Sequence, residues 1–196
     1  MEYIVFLGVA LSLVASASYI VDTFKGKNKP NRVTWLIWSV APIIATIAAV
    51  SDGVTWAILP TFMAGFGPLL VLIASFFNKQ SYWKLTKGDY ICGASALLAL
   101  VLWWVTKDPN LAIFFSILAD GLGATPTLIK AWRHPETESG LAYILYTLSP
   151  ATGFLAIQKG DFSELAFNIY LFVLNASFCL IIYRKKIKGA FQKKPL

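Results

Sequence analysis

One acid stands alone in a long apolar stretch. Asp120 falls about halfway along residues 111–129, between Leu118-Ala119 and Gly121-Leu122-Gly123. At the centre of a membrane helix a carboxylate costs about 2.5 to 3.5 kcal/mol on insertion scales, so it must face protein or water. There it can couple protons or another cation, contact a polar ligand, or hydrogen-bond a neighbouring helix. Two amides, Asn168 and Asn175, lie seven apart in the last apolar stretch and so share one helix face. They can bond a polar solute, or bridge helices at about 0.6 kcal/mol each. Trp38, Ser39, Tyr146 and Thr147 supply the aromatic surface and hydroxyls that line small-molecule pockets. Asp120, Asn175, Pro42 and Pro150 each lie about ten residues into their stretches, which at about 1.5 Å per residue gives one common depth near mid-membrane.

Enzyme chemistry has little footing in these residues. The sequence holds no metal-ligand spacing, no histidine near a candidate nucleophile and no glycine-rich phosphate loop, so neither an enzyme activity nor a cofactor is expected. A retinal Schiff base would need a lysine within the last apolar stretch, which has none before Arg184. The single histidine, His134, follows Arg133 in a polar loop and reads as a solvated residue or a pH sensor. Cys92 and Cys179 sit inside apolar stretches as small hydrophobes. Asp22, Asp52, Asp161 and Glu164 fall at stretch ends, where solvent is expected to hold them.

The elements that position these groups follow from composition. The chain has 196 residues, 57% hydrophobic and 14% charged, with the charges gathered between apolar runs. Seven runs approach the roughly 17 to 25 residues needed to cross a bilayer: 4–21, 33–50, 54–77, 90–105, 111–129, 141–157 and 165–183. An all-α integral membrane protein of seven transmembrane helices is expected. Lys25, Lys27, Lys29, Arg32, Lys79, Lys84, Lys87, Lys130, Arg133, Arg184, Lys185, Lys186, Lys188, Lys193 and Lys194 would then share one side, leaving Lys107 and Lys159 on the other. The positive-inside rule puts the first side in the cytoplasm and the N-terminus outside, with the plasma membrane as the expected location. The net charge of +7 therefore reflects topology and the lipid surface, and no nucleic-acid partner is expected. The start Met1-Glu2-Tyr3 lacks a basic n-region, so the first run is read as a retained span.

The chain also repeats itself. Trp35-Leu36-Ile37-Trp38-Ser39-Val40-Ala41-Pro42 returns 108 positions later, in chemical kind, as Tyr143-Ile144-Leu145-Tyr146-Thr147-Leu148-Ser149-Pro150. In each copy the two aromatics, the hydroxyl residue and the proline occupy i, i+3, i+4 and i+7, a single helix face. Trp35 and Tyr143, nearest the cytoplasmic interface, read as belt or packing residues. Three spans reverse the side of the chain, so two copies in one orientation need a fourth span between them. The expected organisation is a first three-helix repeat in residues 1–80, a linker helix in 81–108, a second repeat in 109–184 and a basic tail in 185–196. Under the same offset Asp120 pairs with Ser12 and Asn175 with Gly67, so the site is asymmetric. Ala64, Gly65 and Gly67 suit close helix approach, within the bundle or in a homo-oligomer.

This arrangement resembles the SWEET and PQ-loop membrane transporters, whose halves are parallel three-helix repeats around a linker helix. The resemblance covers nearly the whole chain, and its most specific pieces are the repeated stripe and Gly123-Ala124-Thr125-Pro126-Thr127-Leu128-Ile129-Lys130, similar to the family's proline-glutamine motif with Thr127 in place of glutamine. It implies that Pro42, Pro126 and Pro150 are hinges, with Ser18 in the fourth place. It further implies a solute site with Asn175 and a nearby tryptophan, and alternating access of a small polar solute such as a sugar or amino acid, with protons as a second partner through Asp120. KDEL receptors share a similar fold, so a receptor or scaffold without transport is the alternative. It would use the loop from Arg133 to Glu138 and the basic tail.

Overall fold

A computed structural model describes residues 2–78, 83–106 and 108–192. Lys79, Lys107, Lys193 and Lys194 of the charge pattern lie outside the described residues. Seven α-helices are present among those described: α1 Val5–Phe24, α2 Arg32–Ser51, α3 Leu59–Ala74, α4 Lys87–Thr106, α5 Pro109–Arg133, α6 Gly140–Phe154 and α7 Phe162–Gln192. Short 3-10 turns Glu2–Ile4, Trp56–Ile58 and Pro135–Thr137 join them, and there is no strand among the described residues. The protein is all-helical, and among the described residues five segments are long and apolar enough to cross a membrane: α1, α2, Trp56–Ala74, α5 and Phe162–Ile187. Seven such spans were expected. α4 and α6 are not among the five, and α6, at 15 residues, rises only about 22 Å against a hydrocarbon core of about 30 Å.

Local chemistry sets the helix ends. Asn31 caps α2, its side-chain oxygen accepting from the N–H groups of Val33 at 3.1 Å and Thr34 at 3.4 Å. Asp108 caps α5 by accepting from Leu111 N–H at 2.9 Å, and Pro109, which has no N–H to leave unpaired, begins the helix. α1 ends at Phe24, and Gly26 just beyond it has a φ of 71° that lets Lys27 N–H turn back onto the Asp22 carbonyl at 2.9 Å.

The helices bury small and aromatic residues inward and leave Leu13, Ile47, Phe66, Leu118, Leu148 and Val173 exposed outward, an apolar exterior suited to lipid. α3 packs between α1 and α2, and α7 packs between α5 and α6. α1 lies on α6, α2 lies on α5, and α4 covers α5 and α2. Gly65 and Gly67 serve this packing within the bundle. A side chain at Gly65 would meet Ile43 and the Ser39 carbonyl on α2, and one at Gly67 would strike the Ser16 hydroxyl on α1. Gly67→Ala is therefore expected to cost about 1 to 3 kcal/mol, as overpacking does, measured as a lower melting temperature. An unchanged melting temperature would mean that α1 and α3 are not in this contact.

Candidate functional site

Pro42, Pro68, Pro126 and Pro150 lie inside α2, α3, α5 and α6. A proline inside a helix deletes one backbone hydrogen bond and frees a carbonyl for another partner. Pro126 frees the Leu122 carbonyl, and next to it a neighbouring helix bonds in: the Thr34 hydroxyl on α2 donates to the Gly123 carbonyl at 2.7 Å and accepts from Thr127 at 2.8 Å. Two polar links on the opposite side of the bundle join α1 to α6, Ser12 to Ser149 at 2.7 Å and Ser16 to the Tyr146 hydroxyl at 2.8 Å.

Between these two seams lies a small cavity of about 40 Å³. Asp120, Asn175, Trp38 and Tyr146 line it together with Trp35, Ala64, Pro68, Leu171 and Leu174. Asp120 is 1% exposed. Its Oδ2 accepts from the Tyr170 hydroxyl at 2.7 Å, while its Oδ1 is buried and takes no hydrogen bond among the described residues. The indole N–H of Trp38 is likewise buried without an acceptor among the described residues. Asn175 donates to the Leu171 carbonyl of its own helix at 2.8 Å. A buried polar atom left without a partner forfeits about 1 to 3 kcal/mol, so Asp120 Oδ1 and Trp38 Nε1 mark where a ligand would gain most.

The other expected site residues lie elsewhere. Asn168, seven residues from Asn175, is 1% exposed and spans helices by donating to the Ala57 and Glu164 carbonyls, each at 3.2 Å. Ser39 is buried but donates to the Trp35 carbonyl of its own helix at 2.6 Å. Thr147 does the same toward Tyr143 at 2.8 Å and faces a different groove, with Cys179 and Tyr183. Neither Asn168, Ser39 nor Thr147 reaches the cavity wall. Asn168→Ala is expected to lower stability by about 1 to 3 kcal/mol, since the Ala57 carbonyl loses its donor. Asn175→Ala leaves no such orphan and should keep the melting temperature. A reversed pattern would exchange the roles of the two amides.

Where sequence reading expected solvent, the structure has buried acids. Glu138, in the polar loop before α6, is 7% exposed and pairs with Lys130, itself 1% exposed. The same carboxylate accepts from the Tyr19 hydroxyl at 2.9 Å and the Tyr143 hydroxyl at 3.1 Å, and Lys130 also donates to the Lys29 carbonyl. Above this pair the two repeated stripes meet in one aromatic layer. Trp35 sits 4.6 Å from Tyr19 and 5.2 Å from Trp38, centroid to centroid, while Phe178 stacks on Tyr143 at 4.4 Å. Trp35 and Tyr143, each fully buried, are packing residues and not belt residues. At the opposite end of the bundle Glu164 is also buried, because it caps the α6–α7 loop by accepting from the N–H groups of Gln158, Lys159 and Gly160. Asp52 is exposed, as expected, and accepts from the Ser163 hydroxyl. Lys130, Glu138 and Tyr19 are the group that sequence reading missed. The signal available was a lysine eight residues before a glutamate across a helix end, which is no recognised spacing.

The site thus belongs to an all-helical bundle, with helices long and apolar enough to cross a membrane, around a small, largely apolar cavity that holds one carboxylate. No family model, curated protein or solved structure matches the chain.

Proposed function

We propose that the protein is a membrane transporter of the SWEET and PQ-loop type, moving a small polar solute by alternating access through the cavity between α1–α3 and α5–α7. The observation that carries this reading is the cavity at the seam of the two halves, with a buried carboxylate oxygen, unpaired among the described residues, near the midpoint of α5. The packing supports a parallel three-one-three arrangement. Exchanging α1 with α5, α2 with α6 and α3 with α7 turns α1–α3 into α5–α7, α2–α3 into α6–α7, α1–α6 into α2–α5 and α3–α6 into α2–α7, and all eight pairs are in contact. α4, outside this exchange, takes the place of the linker, and α4 and α6 cross the membrane with the rest. Parallel repeats with a midplane site are one of the recurring designs of secondary transporters.

The positive-inside pattern puts the Lys130–Glu138 pair and its two loops on the cytoplasmic side. That end is closed by the ion pair and the aromatic layer, and the other by an apolar cluster of Val5, Ala45, Ala49, Ile58, Ile113 and Phe167. Alternating access then means separating one closure while keeping the other, with Pro42, Pro126 and Pro150 as the weak points of their helices. Purified protein in sealed vesicles, given a panel of sugars, amino acids, amines and nucleosides, should carry one class in a saturable way, and Asp120→Asn should abolish that flux. Folded protein that carries none of them would replace transport with the receptor or scaffold reading.

A further inference from the structure

The cavity walls narrow the solute class. Its one carboxylate among the described residues is that of Asp120, and no Lys, Arg or His lines it among them. An anionic solute would meet a carboxyl group and no cation among the described residues. A sugar would need a ring of hydrogen-bond partners, and few are free. The Tyr146 hydroxyl is engaged by Ser16, the Tyr170 hydroxyl is engaged by Asp120 Oδ2, and Ala64, Pro68, Leu171 and Leu174 contribute apolar surface. What remains is a carboxylate oxygen without a donor, two indoles and a phenol ring around an apolar space. Carboxylate plus aromatic rings is the composition that recognises organic cations, because the ring quadrupole attracts positive charge and the apolar walls accept the alkyl groups.

We infer that the solute is a small organic ammonium ion, admitted as the two halves part and widen the small cavity, with its positive charge at Asp120 Oδ1 and its alkyl groups against Trp35, Trp38 and Tyr146. This rests on the transporter reading but concerns binding, which can be measured apart from flux. The cation neutralises a carboxylate that is otherwise buried with one hydrogen bond. The Trp38 N–H and the Asn175 amide are left to bond a hydroxyl or carbonyl on the same solute.

The test uses the full chain in detergent and a matched pair of probes, choline and its uncharged carbon isostere 3,3-dimethylbutan-1-ol, with glucose as a third. Calorimetric titration should give choline an affinity at least about 10-fold above the isostere, with no binding of glucose. Asp120→Asn should erase that difference, and Trp38→Leu should weaken choline several-fold with the fold kept. Equal affinity for choline and the isostere, or binding of glucose alone, would overturn the ammonium assignment and leave the transporter reading standing. Choline binding without flux in vesicles would uphold the site and sink transport. Folded protein that binds none of the three overturns the inference, whatever the flux panel shows.

Discussion

Lys130→Met should be among the most destabilising single substitutions in the chain, costing about 3 to 5 kcal/mol. The reason is what it leaves behind. Glu138 is buried, its only cationic partner among the described residues is Lys130, and its remaining contacts are the hydroxyls of Tyr19 and Tyr143. Two hydroxyl donors do not replace the hydration of a carboxylate, and Lys130 also satisfies the Lys29 carbonyl, which would lose its donor. The pair itself need not be a large net stabiliser, since removing two ions from water costs nearly what their attraction returns. The diagnostic is therefore the double variant. Adding Glu138→Gln to Lys130→Met removes the orphaned charge while keeping an oxygen for the tyrosines, so it should recover more than half of the loss in melting temperature. Additive losses would mean that the two side chains are not coupled and that this end of the bundle is not closed as described.

The ion pair was hidden from sequence reading for a physical reason. Charged residues are almost never fully buried unless paired, so a stretch as polar as Arg133-His134-Pro135-Glu136-Thr137-Glu138-Ser139 looks solvated. Only the 3-10 turn at Pro135–Thr137, which turns Glu138 back beneath α5, reverses that expectation for one of its two glutamates. Glu136 stays exposed. The repeated stripes, by contrast, were legible because periodicity survives any environment. Trp35, Trp38, Ser39 and Pro42 are all buried, as are Tyr143, Tyr146 and Pro150. Which stripe members reach the cavity was not legible. The hydroxyls of Ser39 and Thr147 each take the carbonyl one turn back, a choice open to any serine or threonine in a helix and invisible to spacing. Asn168 and Asn175 share a face but stand about 10 Å apart along the axis, so a cavity at one depth takes only one of them.

Gly67 shows the same limit in reverse. The offset that matches Trp38 to Tyr146 pairs Gly67 with Asn175, and the lost amide looked like a departure from a symmetric site. In the bundle the space that a side chain at Gly67 would fill is taken by Ser16, whose hydroxyl bonds Tyr146 across the seam. One half supplies the amide of Asn175, and the other supplies the clearance that brings α1 onto α3 and α6. Asymmetry of this kind leaves Asp120 as the only acid on the cavity wall among the described residues.

Asp120→Asn should separate function from stability, with opposite signs. Asparagine is nearly isosteric, and its carbonyl oxygen can still accept from Tyr170, so the hydrogen bond at 2.7 Å has a successor. What disappears is a charge-bearing group held at 1% exposure, whose placement at a helix centre costs about 2.5 to 3.5 kcal/mol on insertion scales. The melting temperature of the variant should therefore equal or exceed that of the parent. On the proposed reading, flux in vesicles should fall by about 100-fold or more, because the charge proposed to hold the solute is removed and charge-assisted contacts are the strong ones. Tyr170→Phe is the control. It keeps the carboxylate but strips its one donor, so it should lower stability by about 1 to 3 kcal/mol while leaving solute recognition in place. A stable Asp120→Asn protein with parental flux would remove the carboxylate from the mechanism. A variant that loses flux only because it unfolds would make Asp120 a packing residue, with Tyr170 as its structural partner.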